Sequence, residues 1–182
     1  MPDAMSTHPA AKTTSGVLEL RLPGVDGEQH SLASLAGEEG TAIVFIGNGC
    51  PTVRAYEDRL KAFDKAWRPQ GIHLVAINAN NPHLSPPDTF GEMEKRARDR
   101  HFNFPYLKDA EGTVAKEFGA ITTPHAFLLD SKLRVVYQGR IDDSRIGDKI
   151  SSRDLENAVA DLVARRSVAV ASTEPFGCSI VW

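Results

Sequence analysis

The sequence predicts an α/β fold in which a mixed central sheet carries helices on both faces. Residues 41–46 and 72–78 are continuous runs of apolar and β-branched side chains, typical of strands buried on both faces. An amphipathic helical pattern lies between them, and a right-handed crossover places two such strands side by side in parallel. Two further apolar runs within residues 126–137 predict a hairpin that adds antiparallel strands at one side of the sheet.

The composition is that of a soluble globular protein and excludes several other classes. Of the 182 residues, 41% are hydrophobic and 25% are charged, and the formal net charge of -3 predicts no basic face for nucleic acid. No run of about 18 apolar residues occurs, so the sequence predicts no membrane span. Residues 1–16 are polar, and we interpret them as a flexible tail rather than a secretory signal. We therefore expect a cytoplasmic protein.

The first predicted element is a β-hairpin. Apolar and polar residues alternate loosely over residues 17–22, and residues 29–32 return as the second strand after glycine and proline turn signals. Ser31 or Ser34 is then expected to cap a short helical turn before the first buried strand.

The clearest helix follows that first buried strand. Residues 47–49 (Gly-Asn-Gly) break the strand, and Pro51 suits the first position of a helix. Apolar residues at steps of three and four then form one face: Val53, Tyr56, Leu60, Phe63 and Trp67. The helix is expected to end at residues 69–71 (Pro-Gln-Gly), before the second buried strand.

Shorter elements alternate over the rest of the domain. Asp88 is expected to cap a helix that runs to about Arg100, a short strand lies at residues 104–107, and a helix of one or two turns ends at Gly119. After the final hairpin, Ser151 is expected to cap a last helix.

The chain ends in an extended tail, residues 167–182, which follows a single domain of residues 17–166. The last three residues of the tail are apolar, which is unusual for an exposed terminus. We therefore expect the tail to dock on the domain or on a partner subunit.

Cys50 is the strongest candidate for a chemically active residue. It lies where a buried strand gives way to a helix, so its thiol would face the positive end of the helix dipole and free backbone N–H groups. That environment favours the thiolate, the reactive form of cysteine. The alternative is that Cys50 is a small buried apolar residue. Two cysteines exclude a disulfide scaffold and a four-cysteine zinc site, and the histidines show no metal-binding spacing.

Several motifs occur together in this chain: the N-terminal hairpin, residues 45–51 (Phe-Ile-Gly-Asn-Gly-Cys-Pro), Thr123-Pro124, and residues 137–143 (Tyr-Gln-Gly-Arg-Ile-Asp-Asp). Together they resemble the thioredoxin-like superfamily, in the redoxin branch of the alkyl hydroperoxide reductase and thiol-specific antioxidant (AhpC/TSA) proteins. Residues 177–182 are similar to the tail of a bacterial subgroup of these proteins. The resemblance implies a three-layer thioredoxin-like sandwich and a cis peptide bond before Pro124.

The same resemblance implies an activity. A thiol-dependent oxidoreductase of this kind, either a peroxidase or a disulfide reductase, would use Cys50 as the redox nucleophile and Cys178 as the resolving thiol. Its partners would be a small peroxide or a protein or low-molecular-weight disulfide, together with an external thiol reductant. No cofactor or metal is implied, and a homodimer is a candidate assembly. Substrate binding is assigned to residues beside Cys50 and in the cis-proline loop: Asn48, Gly49, Pro51, Thr52, Thr123 and Pro124.

Two basic residues are candidate stabilisers of a Cys50 thiolate. Arg54 lies one helical turn after Cys50, and His125 directly follows Pro124 in the cis-proline loop. Each also has a plainer interpretation, as a solvated surface arginine and as a polar lining histidine.

The sequence departs from both active-site patterns of the superfamily. Val53 stands where thioredoxins carry a second cysteine, and Ile43 and Gly47 stand where peroxiredoxins carry a proline and a threonine. Two alternatives to the enzyme therefore stay open. One is a binding module with a cleft around Pro124, and the other is a redox sensor whose disulfide changes the docking of the tail.

Overall fold

The structure is a computed structural model that describes residues 15–182, so most of the tail predicted over residues 1–16 lies outside the described residues. The helices and strands, in chain order, are α1 (Ser15–Glu19), β1 (Leu22–Pro23), β2 (Gln29–His30), α2 (Leu32–Leu35), β3 (Gly40–Phe45), α3 (Pro51–Trp67), β4 (Ile72–Asn78), α4 (Phe90–Asp99), β5 (Tyr106–Lys108), α5 (Thr113–Phe118), β6 (Thr122–Thr123), β7 (His125–Asp130), β8 (Val135–Gly139), α6 (Asp154–Val163) and β9 (Cys178–Ser179).

Five strands form the central sheet, in the order β5-β4-β3-β7-β8. Strand β4 is parallel to both β3 and β5, whereas β7 pairs antiparallel with β3 and with β8. The predicted mixed sheet, with two parallel buried strands beside an antiparallel hairpin, is therefore confirmed. Every residue of β3 and of β7 is buried, as their continuous apolar runs predict.

The sheet separates two apolar cores, because successive side chains of a strand point to opposite faces. Helices α3, α4 and α6 pack on one face, to which Val44 contributes, and α1, α2 and α5 pack on the other, to which Ile43 contributes. Among residues 15–182, no helix combines the length and the hydropathy that crossing a membrane requires.

Helix α3 begins directly after Cys50, which is its N-cap residue, and Pro51 is its first residue. Of its predicted apolar face, four residues are buried and Trp67 is partly buried; the four are Val53, Tyr56, Leu60 and Phe63. The helix ends at Trp67, and after one 3-10 turn Gly71 reverses the chain with a φ of 82°, a conformation that favours glycine. The start of the longest helix thus places Cys50 at the carboxyl end of β3.

The prediction of an N-terminal strand over residues 17–22 is wrong. Helix α1 lies there instead, and only Leu22–Pro23 pairs with Gln29–His30, which leaves a two-residue hairpin. Val17 and Leu18 are both buried in the same core. Adjacent side chains point to opposite sides of a strand but can face one core from a helical turn, so the burial of both favours the helix.

The predicted helix caps are correct only in part. Ser31 caps α2: its Oγ accepts a hydrogen bond from the Ser34 N–H, and the Ser34 Oγ accepts one from the Ser31 N–H. Helix α6 begins after Arg153 without a side-chain cap, so the cap predicted at Ser151 is wrong.

The cap predicted at Asp88 is also wrong. Thr89 caps α4, because its Oγ1 accepts a hydrogen bond from the Glu92 N–H at 3.4 Å. Asp88 is the last residue of the preceding 3-10 turn and is buried. Its carboxylate accepts hydrogen bonds from buried polar groups at the edge of the sheet instead of capping the helix.

The tail after α6 is docked on its own domain, in part through two backbone pairings. Gln138 of β8 donates its N–H to the Ala171 carbonyl oxygen and accepts from the Thr173 N–H, both at 3.0 Å. Further along, β9 pairs antiparallel with β6, and Ile180 is buried in the core that contains α5. Trp182 remains 47% exposed.

We expect Leu128→Ala, at a fully buried position of β7, to lower the free energy of unfolding by about 2–5 kcal/mol, because it removes buried apolar surface and leaves a cavity. Leu84→Ala is the matched control, since Leu84 is 64% exposed, and it should change the stability by less than about 0.5 kcal/mol. Urea unfolding of the oxidised proteins measures both. Equal losses for the two variants would contradict the placement of the core.

Candidate active site

A disulfide bond joins Cys50 to Cys178 and forms the centre of the candidate site. Cys50 is the N-cap of α3, Cys178 is the first residue of β9, and their Cα atoms lie 6.0 Å apart. Cys50 is 5% exposed, whereas Cys178 is only half-buried. The structure therefore brings together, within one chain, the two residues that the sequence indicates as nucleophile and resolving thiol.

The cis-proline loop forms a second wall of the site. The peptide bond between Thr123 and Pro124 is cis, and the Cys50 Sγ lies 3.4 Å from the Thr123 carbonyl oxygen. Strand β9 pairs with β6 so that Cys178 stands opposite Thr123. Gly177, with a φ of 147°, allows this close approach, because a side chain there would collide with the Thr123 carbonyl group.

Asn48 fixes the loop that precedes Cys50. Its N–H donates to the Asp88 carboxylate at 2.7 Å. Its side-chain nitrogen donates to the Pro87 carbonyl oxygen, and its side-chain oxygen accepts from the Tyr106 hydroxyl, both at 2.8 Å. Burial raises the pKa of Tyr106 far above its usual value, so this hydroxyl keeps its proton and remains a donor. Asn48 thus holds the loop through every polar group of its side chain.

The other residues assigned to substrate binding lie in two environments. Gly49 and Pro51 are exposed beside the disulfide, whereas Thr52 is buried in the first turn of α3. Thr123 and Pro124 are buried, and the Thr123 Oγ1 has no hydrogen-bond partner among the described residues. Within residues 15–182, no three His, Cys, Asp or Glu side chains are grouped in a way that could hold a metal ion.

A buried polar cluster beneath the loop is absent from the sequence-based predictions. The Asp88 carboxylate accepts hydrogen bonds from the side-chain nitrogens of Asn78 and Asn80, at 2.8 and 3.0 Å. The Lys108 Nζ donates to the Asn78 Oδ1 and to the carbonyl oxygens of Asn80 and Asp88, at 3.1, 2.6 and 2.8 Å. Burial lowers the pKa of Lys108 to about 8. The available signal was Asn-Ala-Asn-Asn at residues 78–81, where β4 ends, because the carboxyl ends of neighbouring parallel strands meet at one sheet edge.

The two candidate stabilisers of a thiolate differ in charge. Burial lowers the pKa of His125 to about 4, so its ring is neutral at pH 7, and it stacks on Phe127 with ring centroids 4.5 Å apart. Arg54 is exposed, and its Nε donates to the Asn48 carbonyl oxygen at 2.9 Å. Positive charge beside the site therefore comes from Arg54 and the start of α3 rather than from His125.

Comparison with known proteins assigns the family. The model of the AhpC/TSA family matches residues 15–138. The chain belongs to the AhpC/TSA family. The branch that the sequence motifs indicate is thereby confirmed. The matched region contains Cys50 and the cis-proline loop but ends before the tail that carries Cys178.

Relatives of this AhpC/TSA-family protein match it over most of its length. The sporulation thiol-disulfide oxidoreductase A of Bacillus subtilis is 25% identical over 123 residues, which are 68% of this chain and 67% of that protein. The structure of an uncharacterised conserved protein from Geobacillus kaustophilus is 32% identical with a TM-score of 0.87, and the match covers 97% of this chain and 94% of that one. A hypothetical protein from Sinorhizobium meliloti is 33% identical with a TM-score of 0.84, over 91% and 92% of the two chains.

We expect His125 to make the stability of this AhpC/TSA-family protein depend on pH between about 4 and 6.5. The fold keeps the ring neutral while the unfolded chain protonates it, so the unfolded state binds more protons in this window and the free energy of unfolding rises with pH. His125→Asn should remove that part of the slope, at most about 1.4 kcal/mol per pH unit. Urea unfolding of both proteins at the two ends of the window measures it, and identical slopes would contradict the expectation.

Proposed function

We propose that this protein is a thiol-disulfide oxidoreductase in which Cys50 is the redox nucleophile and Cys178 is its resolving thiol. The observation that carries the proposal is the disulfide between a cysteine at a helix N-terminus and a cysteine in the tail, next to the cis-proline loop. The name of the Bacillus subtilis relative supports the same chemistry. Val53 supplies no thiol in α3, and the tail supplies one instead.

Two features of the site favour a thiolate at Cys50. The residue caps α3, where free backbone N–H groups and the positive end of the helix dipole stabilise a negative sulfur. Arg54, on the same helix, adds a positive charge next to the loop. The Thr123 carbonyl oxygen beside the reactive sulfur acts in the opposite direction, because it accepts a hydrogen bond from the neutral thiol and offers none to a thiolate.

The reaction with a disulfide proceeds in two exchanges. The Cys50 thiolate attacks one sulfur of the substrate disulfide, which forms a mixed disulfide and releases the other substrate half as a thiolate. The Cys178 thiolate then attacks the Cys50 sulfur, which forms the Cys50–Cys178 bond and releases the remaining half. A small peroxide would enter the same cycle: Cys50 becomes a sulfenic acid as the peroxide leaves as an alcohol or water, and condensation with Cys178 releases water.

The reductant opens the disulfide at Cys178. A thiolate must approach in line with the S–S bond, and the Cys50 side faces the apolar core beside Val53. Cys178 is the more exposed of the two, and attack there expels Cys50, the sulfur that the helix terminus stabilises as a thiolate. The reductant, an external dithiol protein or a low-molecular-weight thiol, therefore first forms a mixed disulfide with Cys178. A second thiol of the reductant then attacks that bond, which forms the disulfide of the reductant and releases Cys178. The cytoplasmic location and a homodimer stay predictions from the sequence.

We expect Cys50→Ser to abolish turnover in disulfide-reductase and peroxidase assays, because no other thiol lies at the start of α3. Cys178→Ser should react once and stop, as a mixed disulfide or sulfenic acid on Cys50 that mass spectrometry detects. Full activity of the Cys50→Ser variant would refute the mechanism.

In the Cys178→Ser variant, the pH dependence of Cys50 alkylation distinguishes an enzyme from a binding module. A Cys50 pKa well below the free value of about 8.5 supports the enzyme.

We expect a monothiol such as glutathione, added to the oxidised protein and quenched with acid at short times, to be joined to Cys178. Peptide mass spectrometry after alkylation should find glutathione on the Cys178 peptide and the alkyl label on the Cys50 peptide. Glutathione found mainly on Cys50 would show that the reductant reaches the buried sulfur, contrary to the exposures of the two residues.

A further inference from the structure

We propose that Asn80 is a positioning residue for the resolving thiol, because its side chain ties the tail that carries Cys178 to the carboxylate that holds the Cys50 loop. The proposal rests on the proposed function and adds a residue to its machinery. Asn80 lies two residues after the end of β4 and is 6% exposed.

The tail is held close to Asn80 just beyond Cys178. The Val181 N–H donates to the Asn80 Oδ1 at 2.9 Å, and the Val181 carbonyl oxygen accepts from the Asn81 N–H at 2.7 Å. Ile180, between Cys178 and Val181, donates its N–H to the Ile121 carbonyl oxygen at 3.2 Å and is buried. None of these contacts involves sulfur, so the reduced chain can make them as well.

The other end of the Asn80 amide reaches the loop of the nucleophile. Its Nδ2 donates to the Asp88 Oδ2 at 3.0 Å, and the Oδ1 of the same carboxylate accepts the Asn48 N–H at 2.7 Å. A chain of hydrogen bonds thus runs from Asn48, two residues before Cys50, to Val181, three residues after Cys178. An amide is required at position 80, since one end must accept from the tail while the other donates to a carboxylate.

The space for this amide exists because residue 47 is glycine. A Cβ built on Gly47 would lie 2.6 Å from the Asn80 Nδ2, so any side chain at position 47 would displace this amide from its hydrogen bonds. This is the position where peroxiredoxins carry a threonine. Glycine at position 47 therefore departs from the peroxiredoxin pattern and at the same time leaves room for Asn80. The Asn80 amide occupies the space beside the Cys50 loop and binds the tail.

The consequence is an effect on the disulfide equilibrium. In the reduced protein only non-covalent contacts hold the tail, and the contacts on either side of Cys178 set the effective concentration of its thiol at Cys50. In the oxidised protein the disulfide itself holds the tail. Loss of the Asn80 contact therefore destabilises the oxidised protein by the full free energy of the contact. It destabilises the reduced protein by less, because there the tail can leave its docked position.

The test is the redox equilibrium of the purified full chain with a glutathione buffer. Asn80→Ala should lower the equilibrium constant for forming the Cys50–Cys178 bond about fivefold, which is a potential about 20 mV less negative. Val181→Pro removes the donor of the same hydrogen bond from the tail side and should shift the potential in the same direction. The double variant should shift it no further than the larger single shift, because both changes remove one contact.

Asn103→Ala is the matched control, since its side chain donates to the Lys61 carbonyl oxygen at 3.0 Å, outside the contacts of the tail. It should leave the potential unchanged. The proposal is overturned if neither Asn80→Ala nor Val181→Pro moves the potential, if Asn103→Ala moves it equally, or if the two shifts simply add. If Asn80→Ala does not fold, Val181→Pro alone decides. A wild-type chain that forms no Cys50–Cys178 bond in the buffer would instead refute the proposed function.

Discussion

A carboxylate buried at the carboxyl edge of the parallel strands determines how the site is built. Asp88 is 1% exposed, and a charge in that position is tolerated only if hydrogen-bond donors surround it. The donors come from the loop before the nucleophile, from the last residue of β4 and the segment after it, and from Ser85. Satisfying one carboxylate therefore fixes several segments of backbone that the sheet itself does not position.

This constraint explains how the protein assembles a pair of thiols without a second cysteine in the helix. The start of α3 places Cys50 where a thiolate is stabilised, and the backbone of β6 offers an edge to which the tail can pair. Backbone pairings at β8 and at β6 hold the tail before and at Cys178, and the Asn80 side chain and the Asn81 N–H hold it just after. Most of these contacts are backbone hydrogen bonds, which depend little on side-chain identity.

Much of this fold could be predicted from sequence because its strongest signals are local. The continuous apolar run of β3, the glycines after it and the proline at position 51 together predict a strand, a turn and a helix start, and the structure has all three. Helix α1 was missed because a five-residue segment offers less than two turns of periodicity, and only the core it covers decides between strand and helix.

The polar cluster was missed for a different reason. Asp88 before an amphipathic helix has the pattern of a capping residue, and the sequence contains a true cap, Thr89, directly beside it. Which of the two faces the interior depends on Asn78 and Lys108, which come from β4 and β5 and meet Asp88 only when the parallel strands are side by side. Contacts between residues that lie far apart in the sequence produce no periodic pattern that a single sequence could show.

The bond between Cys50 and Cys178 also makes the chain a ring over 128 positions. Closing a ring of that size removes conformations from the unfolded chain, and for a loop of about 100 residues the effect on stability is about 5 kcal/mol. Oxidation would therefore protect the protein from unfolding and from proteases, and each reduction would withdraw that protection until the bond forms again. The redox state of this one bond would thus also set how readily the chain unfolds.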